Sequence, residues 1–375
     1  MLLSQRERDR RHSAMRKRME EMGIEVLLAL GDTGDAGLRY SNLRYLTNFK
    51  VVFGNGVLIF PLDSEPVMFV FSALGAKKAK ELSWITDVHE YNSNLIPNVI
   101  HSLKSIRPKW EKIGVAYLAT LPISLHQALR QEFPSADLIE MGSVIQEMRY
   151  IKSEEEMKLV ERSAQLADKA FEEIIKVLKP GMTQFEVAAL LEKPMREDGG
   201  EDFFDLIFSG PFGPGIGLDP YVPTDRKIQV GDSLLLEITP RYGGYWAQLV
   251  RVVSVGRENR DLAGYHRVAR DAISAAIRYF KPGIKLGDAV HEAKRVIESA
   301  GLELHPPMGH LCGLDLIESR VKLESEEILQ PGVVIIFHPP IYSGSTSIFW
   351  GETYIITSEG HRRLHRATDE LIVVS

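Results

Sequence analysis

Apolar and polar positions follow two different periods along the chain. Near the start, Met15, Met19 and Met22 recur at helical spacing within "RERDRRHSAMRKRMEEMG", which predicts an amphipathic helix with a charged outer face. "GIEVLLAL" then reads as a buried strand, and "NLRYLTNF", "GVLIF", "PVMFVF", "ITDVHEYN" and "IGVAYL" continue the strand-like pattern with helical stretches between them. "PLDSEP" places Pro61, Asp63 and Ser64 between two apolar runs and predicts a hairpin turn. Residues 1–147 are expected to form an α/β domain with a mixed sheet, and residues 148–375 a second domain. That second domain opens on a long helix with Ser153 as N-cap, Glu156 three residues later, and Pro180-Gly181 as its stop.

The second domain repeats itself. "AFEEIIKVLKPGMTQFEVAALLEKPMREDGGE" resembles "AISAAIRYFKPGIKLGDAVHEAKRVIESAGLE", and the Lys-Pro-Gly triplets begin at 179 and 281. Two strand pairs correspond as well. "GDSLLLEITPRYGGYWAQLVRVVSV" matches "PGVVIIFHPPIYSGSTSIFWGETYII", so that Glu237 answers to His338 and Gln248 to Glu352. Two similar halves are expected to meet at a pseudo-two-fold axis and bring these four polar positions together. His310, in "HPPMGHLCGLDL", is a fifth candidate. Burying several such groups is unfavourable unless they are used, so the five are read as lining one site.

Composition narrows the function classes. A net charge of −6 over 375 residues gives no basic excess for nucleic acid, and the arginine-rich start alternates with acids. No apolar run approaches the roughly 20 residues of a membrane span, and no apolar signal core stands at the start. The single cysteine, Cys312, excludes an internal disulfide and a cysteine-based zinc cage. It reads as a small core residue. A cytoplasmic protein acting on a small molecule, without membrane or nucleic-acid partners, is the expectation.

Nearly the whole chain resembles the superfamily of aminopeptidase P, prolidase, methionine aminopeptidase and creatinase. The resemblance is carried by "NLRYLTNF", "IKSEEEM", "VPTDRKIQVGDSLLLE", "GYWAQLVRVVSVG", Gly309-His310, "LQPGVVIIFHPPIY" and "GETYIIT", in the family's order and spacing. It implies an α+β fold: a pita-bread catalytic domain with an internal pseudo-two-fold repeat, preceded by a smaller α/β creatinase-like N-terminal domain. It also implies a homodimer, with "YLTNFKVVFGNG" as the place for a contact between chains.

The family's peptidases hold two divalent metals with two aspartates, a histidine and two glutamates. Carried onto this chain, those places fall on Glu237, Gln248, His310, His338 and Glu352. Two supporting histidines of the family fall on Pro220 and Ile317. With so few carboxylates a two-metal centre would be under-neutralised. Two arrangements stay open. In one, Glu237, His310, His338 and Glu352 hold a single zinc, iron or manganese ion. In the other, no metal is needed, as the resemblance to creatinase- and ectoine-hydrolase-like members suggests. Glu237, His310, His338 and Glu352 are then the catalytic candidates, with the carboxylates gripping a cationic substrate. Gln248, Arg251 and Tyr245 are candidates for binding substrate, and Trp246 for walling the pocket. Residues 209–217, rich in glycine and proline, read as a bordering loop, and Asp315 and Glu318 as structural or rim residues. The expected activity is hydrolysis, or elimination, at a C–N bond of a small nitrogenous molecule, by something other than a standard dinuclear-metal peptidase. An Xaa-Pro peptidase with unusual ligands and an inactive binding module are the alternatives.

Overall fold

A computed structural model describes residues 3–31, 41–219 and 221–375, which fall into two compact units, Met1–Tyr150 and Ile151–Ser375. The division comes after Tyr150 rather than residue 147 because the helix Gly142–Tyr150 belongs whole to the first unit.

The first unit is a six-stranded mixed sheet. In sheet order its strands are Asp87–Glu90, Val67–Val70, Gly56–Pro61, Val26–Gly31, Lys112–Val115 and Asp137–Glu140. The "PLDSEP" turn joins Gly56–Pro61 to Val67–Val70 as antiparallel neighbours. Val26, Leu28, Ile59, Trp110 and Ile113 pack its core. "NLRYLTNF" differs from expectation: Asn42–Thr47 is a helix, not a strand. Leu43, Tyr45 and Leu46 are buried together with polar Asn42 and Thr47, so in this short piece the apolar pattern does not mark the buried face.

The second unit is built around a nine-stranded sheet. Its main path runs Ser319–Arg320, Gly309–Leu311, Val334–Phe337, Gly351–Ile356, Leu249–Val255, Ser233–Ile238 and Leu206–Gly210. The order is symmetric about the seam between Gly351–Ile356 and Leu249–Val255, which are the repeat-related strands themselves. Each half adds a helix pair: Glu154–Val177 with Gln184–Glu197, then Arg260–Ala276 with Leu286–Ser299. The repeat extends to single hydrogen bonds. Gly181 N donates to Ile228 O at 2.8 Å and Ile228 N to Met182 O at 2.8 Å; Gly283 N donates to Leu329 O at 2.9 Å and Leu329 N to Ile284 O at 2.8 Å.

The first helix pair rests on Leu234, Leu236, Leu249 and Val253, and so on one face of the sheet. Ser153 and Glu156 form a full capping box at the start of Glu154–Val177, which fixes where that helix begins. The stretch 231–251 contributes to two sheets. Ser233–Ile238 and Leu249–Val255 pair in the large sheet, while Pro240–Tyr242 and Tyr245–Trp246 fold over Gly243-Gly244 into a separate three-stranded sheet. Among the described residues no helix is long and apolar enough to cross a membrane.

Candidate active site

Strand register decides which polar residues share a face. Residues directly opposite in an antiparallel pair point to the same side, and successive residues alternate. One row across the sheet reads Leu206, Glu237, Val250, Gly351. The next reads Ile238, Leu249, Glu352, Phe337. Glu237 therefore faces one side with Gln248, two residues before Val250. His338, one residue past Phe337, joins that side, and so does His310, paired with Ile336. Four of the five expected positions thus come together.

Glu352 does not join them. It lies in the Leu249 row, on the face covered by helices, and the position on the site face of its strand is Gly351. No side chain fits there: a methyl added at Gly351 would lie 2.0 Å from the Phe337 carbonyl oxygen. Gly309, with φ +138°, is equally closed, its added methyl 2.0 Å from the Ile336 carbonyl oxygen. The backbones of three strands approach tightly here, which sets His310 and His338 side by side.

On the helix face, Glu352 is saturated. Arg251 Nη2 donates to Oε2 at 2.5 Å, Arg363 Nη2 to Oε2 at 2.9 Å, and the Tyr354 hydroxyl to Oε1 at 3.0 Å. Arg363 Nε lies 2.6 Å from Oε1. Burial alone would raise this carboxyl, but Arg251 and Arg363 outweigh it and hold it below its usual range. The expectations that Glu352 is catalytic and that it ligates a metal are corrected on this geometry. Arg251, expected to bind substrate, is the buried half of the same cluster. It also donates to the carbonyls of Val250, Gly351 and Thr368 at 2.9, 3.1 and 2.9 Å, and its guanidinium lies 4.4 Å above the Trp350 ring. Tyr245 is likewise engaged elsewhere, its hydroxyl donating to Glu156 Oε1 at 2.6 Å. Trp246 stands beside it, 5.2 Å from the Arg241 guanidinium.

The site face itself is nearly free of charge. Gln248 Nε2 donates to Glu237 Oε1 at 2.5 Å and to Thr239 Oγ1 at 3.1 Å, leaving Gln248 Oε1 without a partner among the described residues. Burial, then the charge of Asp205, pushes the Glu237 carboxyl up to about 8. The His310 and His338 rings sit 5.4 Å apart at 70°, with His310 Nδ1 and both nitrogens of His338 unpartnered among the described residues. Burial holds His310 down to about 3, helped by His338, and holds His338 down to about 4. Buried nitrogens without partners are rare and point to an incoming group. Phe349 lies against His338, 5.5 Å between centroids.

Asp205 was not singled out from the sequence. Its Oδ1 accepts from Thr239 N at 2.9 Å, its Oδ2 is buried and unpartnered among the described residues, and burial pushes the carboxyl up to about 7. The available signal was an acid opening the apolar run "FFDLIF". Loop 209–217 borders Thr346–Ile348: Thr346 Oγ1 accepts from Gly215 N at 2.8 Å and donates to Gly213 O at 3.0 Å. Glu318 accepts from Lys152 Nζ at 2.6 Å, both side chains buried. Pro220 lies outside the described residues. Cys312 is buried, with its thiol pushed up by burial and far from reactive.

A two-metal centre does not fit this donor set. Among the described residues the site face offers one carboxylate, Glu237, already bound to Gln248, where two adjacent divalent ions need several carboxylates to offset their charge. The single-ion set of Glu237, His310, His338 and Glu352 is not assembled either, since Glu352 points to the other face. Among the described residues, no three His, Cys, Asp or Glu side chains are gathered to hold a metal ion.

Comparison with known proteins places this architecture. Residues 11–151 match the creatinase/prolidase N-terminal domain, and residues 158–358 match metallopeptidase family M24. A Pyrococcus horikoshii Xaa-Pro dipeptidase is 30% identical over 338 residues, covering 88% of this chain and 92% of that protein. A Bacillus subtilis protein described as the uncharacterized peptidase YqhT is 27% identical, covering 96% and 99%. The crystal structure of the prolidase from Pyrococcus horikoshii OT3 superposes with a TM-score of 0.84 at 26% identity, covering 97% of this chain and all of that one. Fold, repeat and matched domains agree, and the chain belongs to metallopeptidase family M24, with the pita-bread domain behind a creatinase/prolidase-type N-terminal domain.

Proposed function

We propose that the chain hydrolyses a C–N bond of a small nitrogenous molecule by acid–base chemistry from its own side chains. The observation that carries this reading is the site face: Glu237, Gln248, His310 and His338 with a glycine, Gly351, beside them. A neutral imidazole can take a proton from water, and His310 and His338 stay neutral down to about pH 4. Glu237 keeps its proton up to about pH 8 and can pass it to a leaving nitrogen. Gln248 holds Glu237 by one oxygen and leaves the other to carry that proton. Base and acid thus face one space, each in the protonation state its task requires at neutral pH. A grip on a cationic substrate by two carboxylates loses its support, because Glu352 faces the helices.

A second reading is cleavage of Xaa-Pro dipeptides, favoured by the Xaa-Pro dipeptidase named among the relatives. One panel separates the two. Purified protein is incubated with amidines, ureas, cyclic amides and an Xaa-Pro dipeptide, with and without chelator, and release of ammonia or amine is followed. Hydrolysis of a non-peptide member that ignores chelator is the expected result. Xaa-Pro cleavage dependent on added metal would establish the second reading, and inertness toward every compound would sink the first.

A further inference from the structure

Away from the Glu237 face, the helix Arg260–Ala276 and residues 370–373 border a solvent-open cleft of about 540 Å³, with Glu258, Arg267, Asp271 and Glu370 exposed at its rim. That volume suits a small metabolite. Its charged lining comes from Glu258, Arg267, Arg270, Asp271 and Glu370. Arg270 is paired with Glu370 at 3.0 Å. Arg267, Glu258 and Asp271 have no ion-pair partner among the described residues. The cavity therefore presents an uncommitted guanidinium and two uncommitted carboxylates together. Leu371 and Val373 give it an apolar side. His266 forms part of the wall; it is 4% exposed, and its Nε2 is buried without a partner among the described residues.

We infer that this cavity is a second ligand site, taking a small zwitterion of the amino-acid class with an apolar side chain. The ligand's carboxylate would pair with Arg267, whose planar fork matches it, and its ammonium with Asp271 and Glu258. A simple anion would meet three carboxylates in the wall, and a simple cation two arginines, so neither is as well matched as a molecule carrying both charges. The apolar side chain would lie against Leu371 and Val373.

The cavity has a physical connection to the active site. His266 stacks edge-on against Trp350, 4.2 Å between centroids. Trp350 covers the Arg251 guanidinium, and Arg251 donates to the carbonyl of Gly351, the residue packed against His338. An occupant of the cavity thus sits three side chains, His266, Trp350 and Arg251, from the site's backbone, and Trp350 is a built-in reporter. The inference does not depend on the proposed reaction, because binding is read without turnover.

The test is a titration of the full chain with L-leucine and L-proline, followed by tryptophan fluorescence and calorimetry. A saturable change with a Kd at or below about 1 mM is expected, lost from the fluorescence but not from the calorimetry in Trp350→Phe. Acetate and methylamine alone should bind at least about tenfold more weakly, since each satisfies one charge. Arg267→Glu and Asp271→Lys, both at the surface of the cavity and each verified as folded by its melting curve, should each weaken binding at least about tenfold. Glu237→Gln should leave it unchanged. Absence of binding by both amino acids, wild-type affinity in Arg267→Glu, or loss of binding in Glu237→Gln would each overturn the assignment; the last would place the ligand in the active site instead.

Discussion

Glu237→Gln is expected to lower kcat about 10²–10⁴-fold, the usual contribution of a positioned general acid. Glutamine keeps the size of the side chain and a hydrogen bond to Gln248, so the loss isolates the proton rather than the packing. The wild-type rate should fall off above about pH 8, where Glu237 loses its proton, and that alkaline limb should vanish in the variant. Stability follows the same group. The folded pKa of about 8 lies above the ordinary 4.5, so the stabilisation Glu237 contributes is full below about pH 4.5 and fades as pH rises toward 8. The two histidines act in the opposite sense. Held to about 3 and 4 against an ordinary 6.5, they favour the fold above pH 6.5 and lose that contribution as pH falls toward 4 and 3. Thermal melts across pH should therefore show decline on both sides in the wild type, and a flatter alkaline side in Glu237→Gln. A variant with wild-type kcat and an unchanged pH profile would remove Glu237 from the mechanism.

Glu352→Ala is expected to destabilise the fold by about 3–5 kcal/mol, the effect of stranding a buried charge whose partner is removed. Arg251 is 1% exposed and has no route to water, and Arg363 and the Tyr354 hydroxyl lose the same acceptor. Urea unfolding of the wild type and the variant measures the difference directly. A double variant, Glu352→Gln with Arg251→Met, should recover part of it, because both charges are then gone. A change below about 1 kcal/mol in Glu352→Ala would contradict the saturated cluster seen here.

Much of the second domain was legible because the repeat could be read twice. The Lys-Pro-Gly triplets fixed both helix pairs, and polar residues on apolar strands marked Glu237, Gln248, His310 and His338. Glu352 was legible as a buried acid but misplaced by one residue. The "GETY" stretch alone does not say which of Gly351 and Glu352 faces the site, since a shift of one residue turns a strand over. Register with Leu249 and Phe337 settles it. Arg363 and Tyr354 gave no advance signal. Arg363 sits in the polar stretch "GHRRLHR", and its partner only becomes a neighbour when the chain's last strands return to the sheet. Asp205 was hidden for the same reason, since its proximity to Glu237 exists only through pairing of Leu206 with Glu237. In the first domain "NLRYLTNF" misled because five of the six helical residues are buried, polar Asn42 and Thr47 among them, so burial does not follow the polar pattern.

The central proposal is that this family member works from a site face with a single carboxylate rather than from a metal pair. The most direct measurement is metal content by elemental analysis after growth in zinc-, iron- and manganese-supplemented medium, alongside activity before and after chelation. The account predicts far less than one ion per chain and activity that survives the chelator. Stoichiometric metal whose removal abolishes activity would contradict it.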